Sequence, residues 1–208
     1  MSDEIERDGF QAGDGIIITG AAQGLGRGIA LRMAQSGAKL ALWDIQEDGL
    51  KETASLCRSA GAEEVRIDTV DVGDEAIVDN AAISVIKDWG CVFGLVNISS
   101  GRALVPRERA VHYGTSKGGI LALTKGLAQE WALYNVRVNS IMPGVAETAQ
   151  PLEDTTLEEL RSRGSRVPLG RIGQPADIAS VAHFLLSNDA AYMTGQALGV
   201  NGGAHMTA

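Results

Sequence analysis

The stretch Ile16-Ile17-Ile18-Thr19-Gly20-Ala21-Ala22-Gln23-Gly24-Leu25-Gly26 decides the fold. A short β-branched run reads as a strand and stops at a glycine turn. Leu25, Ile29, Ala30 and Met33 then recur at helical spacing, and Ser36-Gly37 is a helix stop. Strand, glycine turn and helix in that order suit a dinucleotide pyrophosphate, which needs backbone N–H groups at a helix N-terminus. Glycine is required because a Cβ would block close approach. The candidate contacts are Gly20, Gln23, Gly24, Leu25 and Gly26, spaced GxxxGxG rather than the commoner GxGxxG. Loop glycines without a ligand are the alternative reading of the trio alone.

Asp44 strengthens the cofactor reading. It closes a second strand, Lys39 to Trp43, where a carboxylate can accept from both ribose hydroxyls of adenosine and would repel a 2′-phosphate. No arginine stands in the glycine turn or directly after Asp44, so NAD is favoured over NADP. Asp71, ending a third strand over Val65 to Val70, is placed to meet the adenine edge with Val72 against the ring; a solvated strand end is the alternative.

Helices are expected over Gln46 to Ser59 (Leu50, Ala54 and Cys57 inward) and Asp74 to Lys87 (Ile77, Ala81 and Val85 inward). An apolar strand, Val92 to Ile98, ends in Ser99-Ser100. Tyr113 to Tyr134 reads as a long helix with Ile120, Leu123, Leu127 and Trp131 inward. Arg137 to Ile141 is a strand, Pro143-Gly144 a turn, and Gln150 to Gly170 a polar excursion around a short helix. Pro175 to Leu186 is a helix and Gln196 to Val200 a last strand. Alternating strands and helices imply an α/β fold, a doubly wound parallel sheet in three α/β/α layers.

The 208 residues are read as a single domain, with residues 1–13 a flexible lead-in. Hydrophobic residues at 45% and charged residues at 21% are ordinary for a globular chain, and 26 glycines with few aromatics suit tight strand-to-helix turns. A net charge of −8 argues against nucleic acid as partner. No segment approaches the ~20 apolar residues of a membrane span. Cys57 and Cys91 lack metal spacing and read as buried thiols of a reducing, cytoplasmic compartment. The three histidines form no ligand set, so no metal is expected.

Ser100, Tyr113 and Lys117 form a chemical set. Carbonyl reduction needs a proton donor beside the oxygen that gains charge, and free tyrosine, with a pKa near 10, is a poor one at neutral pH. An ammonium one helical turn away favours the phenolate, and each tenfold gain in its acidity is worth about 1.4 kcal/mol. A serine hydroxyl can hold the substrate oxygen beside the phenol. Tyr and Lys four apart are common by accident on helix surfaces; the glycine turn, Asp44 and Ser100 in order argue against accident here.

These motifs resemble the short-chain dehydrogenase/reductase family. The matching stretches are TGAAQGLG (19–26), Asp44, Asp71-Val72, NISS ending at Ser100, and YGTSK (113–117). RVNSIMPGVAET (137–148), GRIGQPADIA (170–179) and YMTGQALGVNGG (192–203) continue the likeness. The resemblance implies a Rossmann-like fold, a nicotinamide cofactor and an alcohol or carbonyl substrate. It implies Tyr113 as general acid/base, Lys117 as the group that lowers its pKa and holds the nicotinamide ribose, and Ser100 as the substrate-oxygen ligand. It implies Pro143, Gly144 and Thr148 at the nicotinamide end, and assembly as a homodimer or homotetramer.

One departure is plain. The family pattern has a strand ending NNAG, a long helix and another strand ending in NISS; here GLVN (94–97) runs straight into ISS. About forty to fifty residues are missing by that comparison, and parallel strands need a crossover of roughly a dozen residues or more. This stretch therefore supplies one strand only. Asn97 answers to either of two family asparagines and is left unassigned. A segment absent from this sequence or a true internal deletion would each account for the seam, and the intactness of the other motifs favours the first. An intact mass of 21.8 kDa would favour the second.

Three functions are thus expected in order. The first is an NAD-dependent oxidoreductase of secondary alcohols and ketones. The second is a catalytically silent member that binds nucleotide or a partner. The third is a 3-oxoacyl-carrier-protein reductase, which fits Asp44 poorly. Arg102, Arg107 and Arg109 admit an anionic substrate, but solvated surface arginines are the heavier reading.

Overall fold

The structure, a computed structural model, describes residues 10–90, 94–105, 107–148 and 155–206. The first half alternates β1 (Gly15–Thr19), α1 (Gly24–Ala34), β2 (Lys39–Asp44), α2 (Glu47–Ala60), β3 (Glu64–Thr69) and α3 (Glu75–Trp89). The second half holds β4 (Gly94–Ile98), a 3₁₀ turn (Gly101–Ala103), α4 (Val111–Trp131), β5 (Arg137–Pro143), α5 (Leu157–Ser162), α6 (Pro175–Leu186) and β6 (Ala197–Val200). Sequence signals set several ends. The Asp74 side chain accepts from Ile77 N at 3.2 Å to cap α3, and Gly61 takes the left-handed φ of 110° that closes α2. Thr156 and Glu159 form a capping box on α5.

All strand pairs are parallel, as alternation with helices requires. Helices cover both faces. Leu40 and Leu42 of β2 face α1, α2 and α6 in one core, with Met33, Leu50, Ile178 and Leu185. Ala41 and Trp43 face the other way, against Val85 of α3. The result is a Rossmann-like α/β arrangement, with one interruption. β1, β2 and β3 form one three-stranded sheet and β4, β5 and β6 another; β1 and β4 are not hydrogen-bonded to each other. The two sheets share a core, since Ile16 and Ile18 of β1 and Val96 and Ile98 of β4 belong to one apolar cluster. β2 and β5 are buried along their centres, whereas every residue of β4 is half-buried.

The expected α/β fold stands, with its parallel strands divided between two three-stranded sheets; two expected core positions fail. Ile77 and Leu123, expected to face inward, are 42% and 52% exposed. Ile83 and Ile86 of α3 are exposed as well. Ile77, Ile83 and Ile86 of α3 and Leu123 of α4 are thus apolar side chains left uncovered in this chain. The lead-in is also shorter than expected: Phe10 N donates to Leu186 O and Gly13 N to Gly37 O, each at 2.9 Å. Residues 1–9 and Cys91 lie outside the described residues; Cys57 is buried, and burial pushes its thiol up to about 11.

Candidate active site

The C-terminal ends of β1 to β5 carry the predicted groups, where ligands of open α/β sheets bind. Gly20 and Gly24 adopt φ values of +66° and +58°, which the turn requires. Gly26 is needed for another reason: a Cβ there would lie 2.0 Å from Gly20 O. The turn is tied to the strand ends. Ala21 N donates to Trp43 O at 3.1 Å, and Ala22 N to Asp44 Oδ2 at 3.1 Å. Asp44 Oδ1 accepts from Gln46 N at 3.0 Å, so each carboxylate oxygen keeps acceptor capacity for a ribose hydroxyl.

Arg27, one residue past the last glycine, is a part of the site that the sequence reading missed. Its Nε donates to Ala22 O at 3.1 Å and to Thr53 Oγ1 at 2.9 Å, and its Nη2 pairs with Glu52 at 2.7 Å. It bolts the turn to α2; its place directly after the glycine triad was the available signal. An open cavity of about 480 Å³ runs from the turn along α1, bordered by Gln23, Gly24 and Thr148 at the turn and by Gly28, Leu31 and Pro175 beyond it. Leu25 opens α1 and is partly buried against the core. Asp71 Oδ1 accepts from Gly73 N at 2.8 Å, and Val72 is exposed beside it. Gly144 N donates to Val200 O at 2.9 Å, which fixes the Pro143-Gly144 turn to β6. Thr148 reaches across to Gly24, its Cβ 3.5 Å from where a Gly24 Cβ would be. The glycine cradle and the Asp44 carboxylate fit a dinucleotide.

Tyr113 and Lys117 lie one turn apart on α4, with Lys117 Nζ 5.8 Å from the tyrosine ring centroid. Ser100 ends the segment after β4, and its Oγ accepts from Arg102 N at 3.2 Å. The 3₁₀ turn that Ser100 caps rests on the first turn of α4: a Cβ on Gly114 would lie 3.2 Å from Arg102 O. Tyr113 and Lys117 therefore lie side by side on α4, with the turn that Ser100 opens packed against the same helix. Burial lowers the Lys117 pKa from its ordinary value. Lys117 Nζ donates to Ile98 O at 3.0 Å, and Ser99 Oγ to Lys117 O at 2.7 Å. Asn97, left unassigned above, donates from Nδ2 to Thr124 Oγ1 on α4 at 3.0 Å.

Beyond β5, Glu147 accepts from Arg161 Nε at 3.1 Å and Nη2 at 2.9 Å, and from Gln174 Nε2 at 3.1 Å. These bonds hold its carboxyl below the usual carboxylate range, the Arg161 bonds most of all. They tie α5 to the rim of the cavity. Arg107 and Arg109 are exposed. Among the described residues, no group of His, Cys, Asp and Glu could hold a metal, and no helix is long and apolar enough to cross a membrane.

The family described as short chain dehydrogenase matches residues 14–97, and the one described as enoyl-(acyl carrier protein) reductase matches residues 94–205. The chain belongs to the short-chain dehydrogenase/reductase family. The two matches meet over Gly94 to Asn97, where the family motifs break. This family member is 30% identical over 240 positions to 3-oxoacyl-[acyl-carrier-protein] reductase FabG of Thermotoga maritima, with 90% of this chain and 96% of the relative covered. Since 90% of 208 residues is about 187, some fifty of those positions have no counterpart here. A 3-ketoacyl-(acyl-carrier-protein) reductase from Brucella melitensis, solved with NADH, superposes with a TM-score of 0.82 at 26% identity, covering 93% of this chain and 98% of that one. An actinorhodin polyketide ketoreductase variant solved with NADPH gives 0.84 at 25% identity, covering 94% and 99%.

Proposed function

We propose that this family member transfers a hydride between NAD(H) and a ketone or secondary alcohol, with Tyr113 as general acid/base. The observation that carries the reading is the stacking of Lys117 Nζ on Tyr113 at 5.8 Å beside the Ser100 turn. Gly20, Gln23, Gly24, Leu25 and Gly26 would hold the pyrophosphate, Asp44 the adenosine ribose, Asp71 and Val72 the adenine, and Pro143, Gly144 and Thr148 the nicotinamide end. The bound nicotinamide supplies or accepts the hydride. Ser100 holds the substrate oxygen. In the reducing direction the Tyr113 hydroxyl gives its proton to that oxygen as it becomes an alkoxide. The Lys117 ammonium stabilises the phenolate left behind until solvent reprotonates it. In the oxidising direction the phenolate takes the alcohol proton.

Asp44 supports NAD over NADP, because a 2′-phosphate would meet a carboxylate. An acyl-carrier thioester is a second substrate class, favoured by the FabG relative. Asp44 does not weigh against it, since the Brucella reductase was solved with NADH. The split sheet favours a further reading, a member that binds nucleotide without turnover. The chain acts as one domain in the cytoplasm, as a homodimer or homotetramer, on a small-molecule substrate. Fluorescence titration with NADH beside a turnover screen on ketones and a 3-oxoacyl thioester tests these readings. Binding with turnover is expected. Binding with no turnover on any substrate would select the silent reading, and failure to bind would reject both.

A further inference from the structure

We propose that Ser99, the neighbour of the substrate-oxygen serine, is the positioning residue for Lys117. The inference rests on the reaction proposed above. Ser99 is 2% exposed, with its hydroxyl committed to the Lys117 carbonyl at 2.7 Å and its N–H to Ile141 O of β5 at 2.8 Å. It therefore joins β4, β5 and α4 at one residue. Lys117 answers with a bond in the opposite sense, Nζ to Ile98 O at 3.0 Å. The two bonds close a ring that fixes both the helix backbone at Lys117 and the end of its side chain.

The split sheet makes this ring matter more. Successive residues of a strand direct their backbone groups to opposite edges. Ser99 N–H points to β5, so the Ile98 carbonyl points to the edge of β4 where no strand is bonded. Lys117 satisfies that carbonyl. With a neighbour on one side only, β4 is also held to α4 by Asn97 through Thr124, whose Oγ1 donates to Ile120 O at 2.8 Å. Of these bonds, two act on Lys117 itself, and only the one from the Ser99 hydroxyl comes from a side chain that substitution can remove. Among the described residues, Tyr113 is the titratable group facing the ammonium from α4, β4 contributes the Ile98 carbonyl, and burial lowers the Lys117 pKa.

The test uses the full chain with ¹⁵N,¹³C-lysine. The chain has five lysines, and Lys117→Arg identifies the Lys117 signal. In the native protein that signal should titrate below the ordinary lysine value. Ser99→Ala, and near-isosteric Ser99→Cys should the alanine variant fold poorly, should move it towards that value by about half a pH unit or more. Ser99→Thr, which keeps the hydroxyl, should restore it. In parallel, kcat should fall three- to tenfold in the first two variants and recover in the threonine variant, with the KM for NADH changed less than twofold. An unmoved Lys117 titration in folded Ser99→Ala or Ser99→Cys protein would overturn the proposal. A native protein that turns over no substrate while Lys117 moves as expected would overturn the proposed function and leave the positioning role standing.

Discussion

Replacing Gly26 with alanine tests the glycine cradle. In a helix, alanine gains about 0.5–1 kcal/mol over glycine. At Gly26 the new Cβ would sit 2.0 Å from Gly20 O and 2.6 Å from Gly20 C. An ordinary C···O contact is about 3.3 Å or more, so the backbone must yield by more than an ångström. No side chain can move aside, because the obstacle is the turn itself. Overpacking costs about 1–3 kcal/mol, and a backbone clash of more than an ångström lies at the upper end of that range, which leaves a net loss of about 2–2.5 kcal/mol. For a chain of this size that lowers Tm by about 4–10 °C. The displaced groups are those proposed to face the pyrophosphate, so the Kd for NADH should rise at least tenfold, about 1.4 kcal/mol. Scanning calorimetry and NADH fluorescence titration read the two effects. Gly119→Ala is the control: it lies within α4 with open space where its Cβ would be, and should raise Tm by about 1–4 °C without altering NADH binding. A Gly26→Ala protein with native Tm and native NADH affinity would refute the reasoning.

Asp44→Asn should narrow the preference for NADH over NADPH by about tenfold, read from the two dissociation constants, because the carboxylate that repels a 2′-phosphate is gone. Arg137 donates to the carbonyls of Leu185, Leu186, Ser187 and Ala190 at the end of α6. Arg137→Met strands those carbonyls and should cost about 3 kcal/mol, lowering Tm by roughly 10 °C in calorimetry. Arg171 bonding, aided by Gln174 N, holds Asp177 down to about 2. A depressed carboxyl pKa stabilises the fold above its unfolded value near 3.8 and loses that effect as pH falls towards 2. The Tm difference between native and Asp177→Asn protein should therefore be constant at neutral pH and vanish between about pH 4 and 2.

Local chemistry was legible in the sequence because it depends on residues close together in the chain. The glycine turn, the end of β2 at Asp44, the Tyr113–Lys117 spacing and the caps of α2, α3 and α6 all follow from short-range rules. The missing crossover was legible too, since parallel strands cannot be joined without one. What periodicity could not say is whether an apolar face has a partner. Ile77 and Leu123 sit at helical core spacing yet lie exposed. Long-range bonds were likewise hidden. Arg27 to Thr53 and Glu52, Ser99 to Lys117 and Asn97 to Thr124 span 18 to 27 residues and follow no local pattern.

The central claim is that the catalytic half still works beside a divided sheet. The most direct measurement is NADH oxidation at 340 nm by the purified chain, first verified at 21.8 kDa, with a ketone panel, for native and Tyr113→Phe protein. The native chain should turn over, and Tyr113→Phe should lose at least a thousandfold in kcat with NADH affinity preserved. Equal turnover by the two proteins would contradict it.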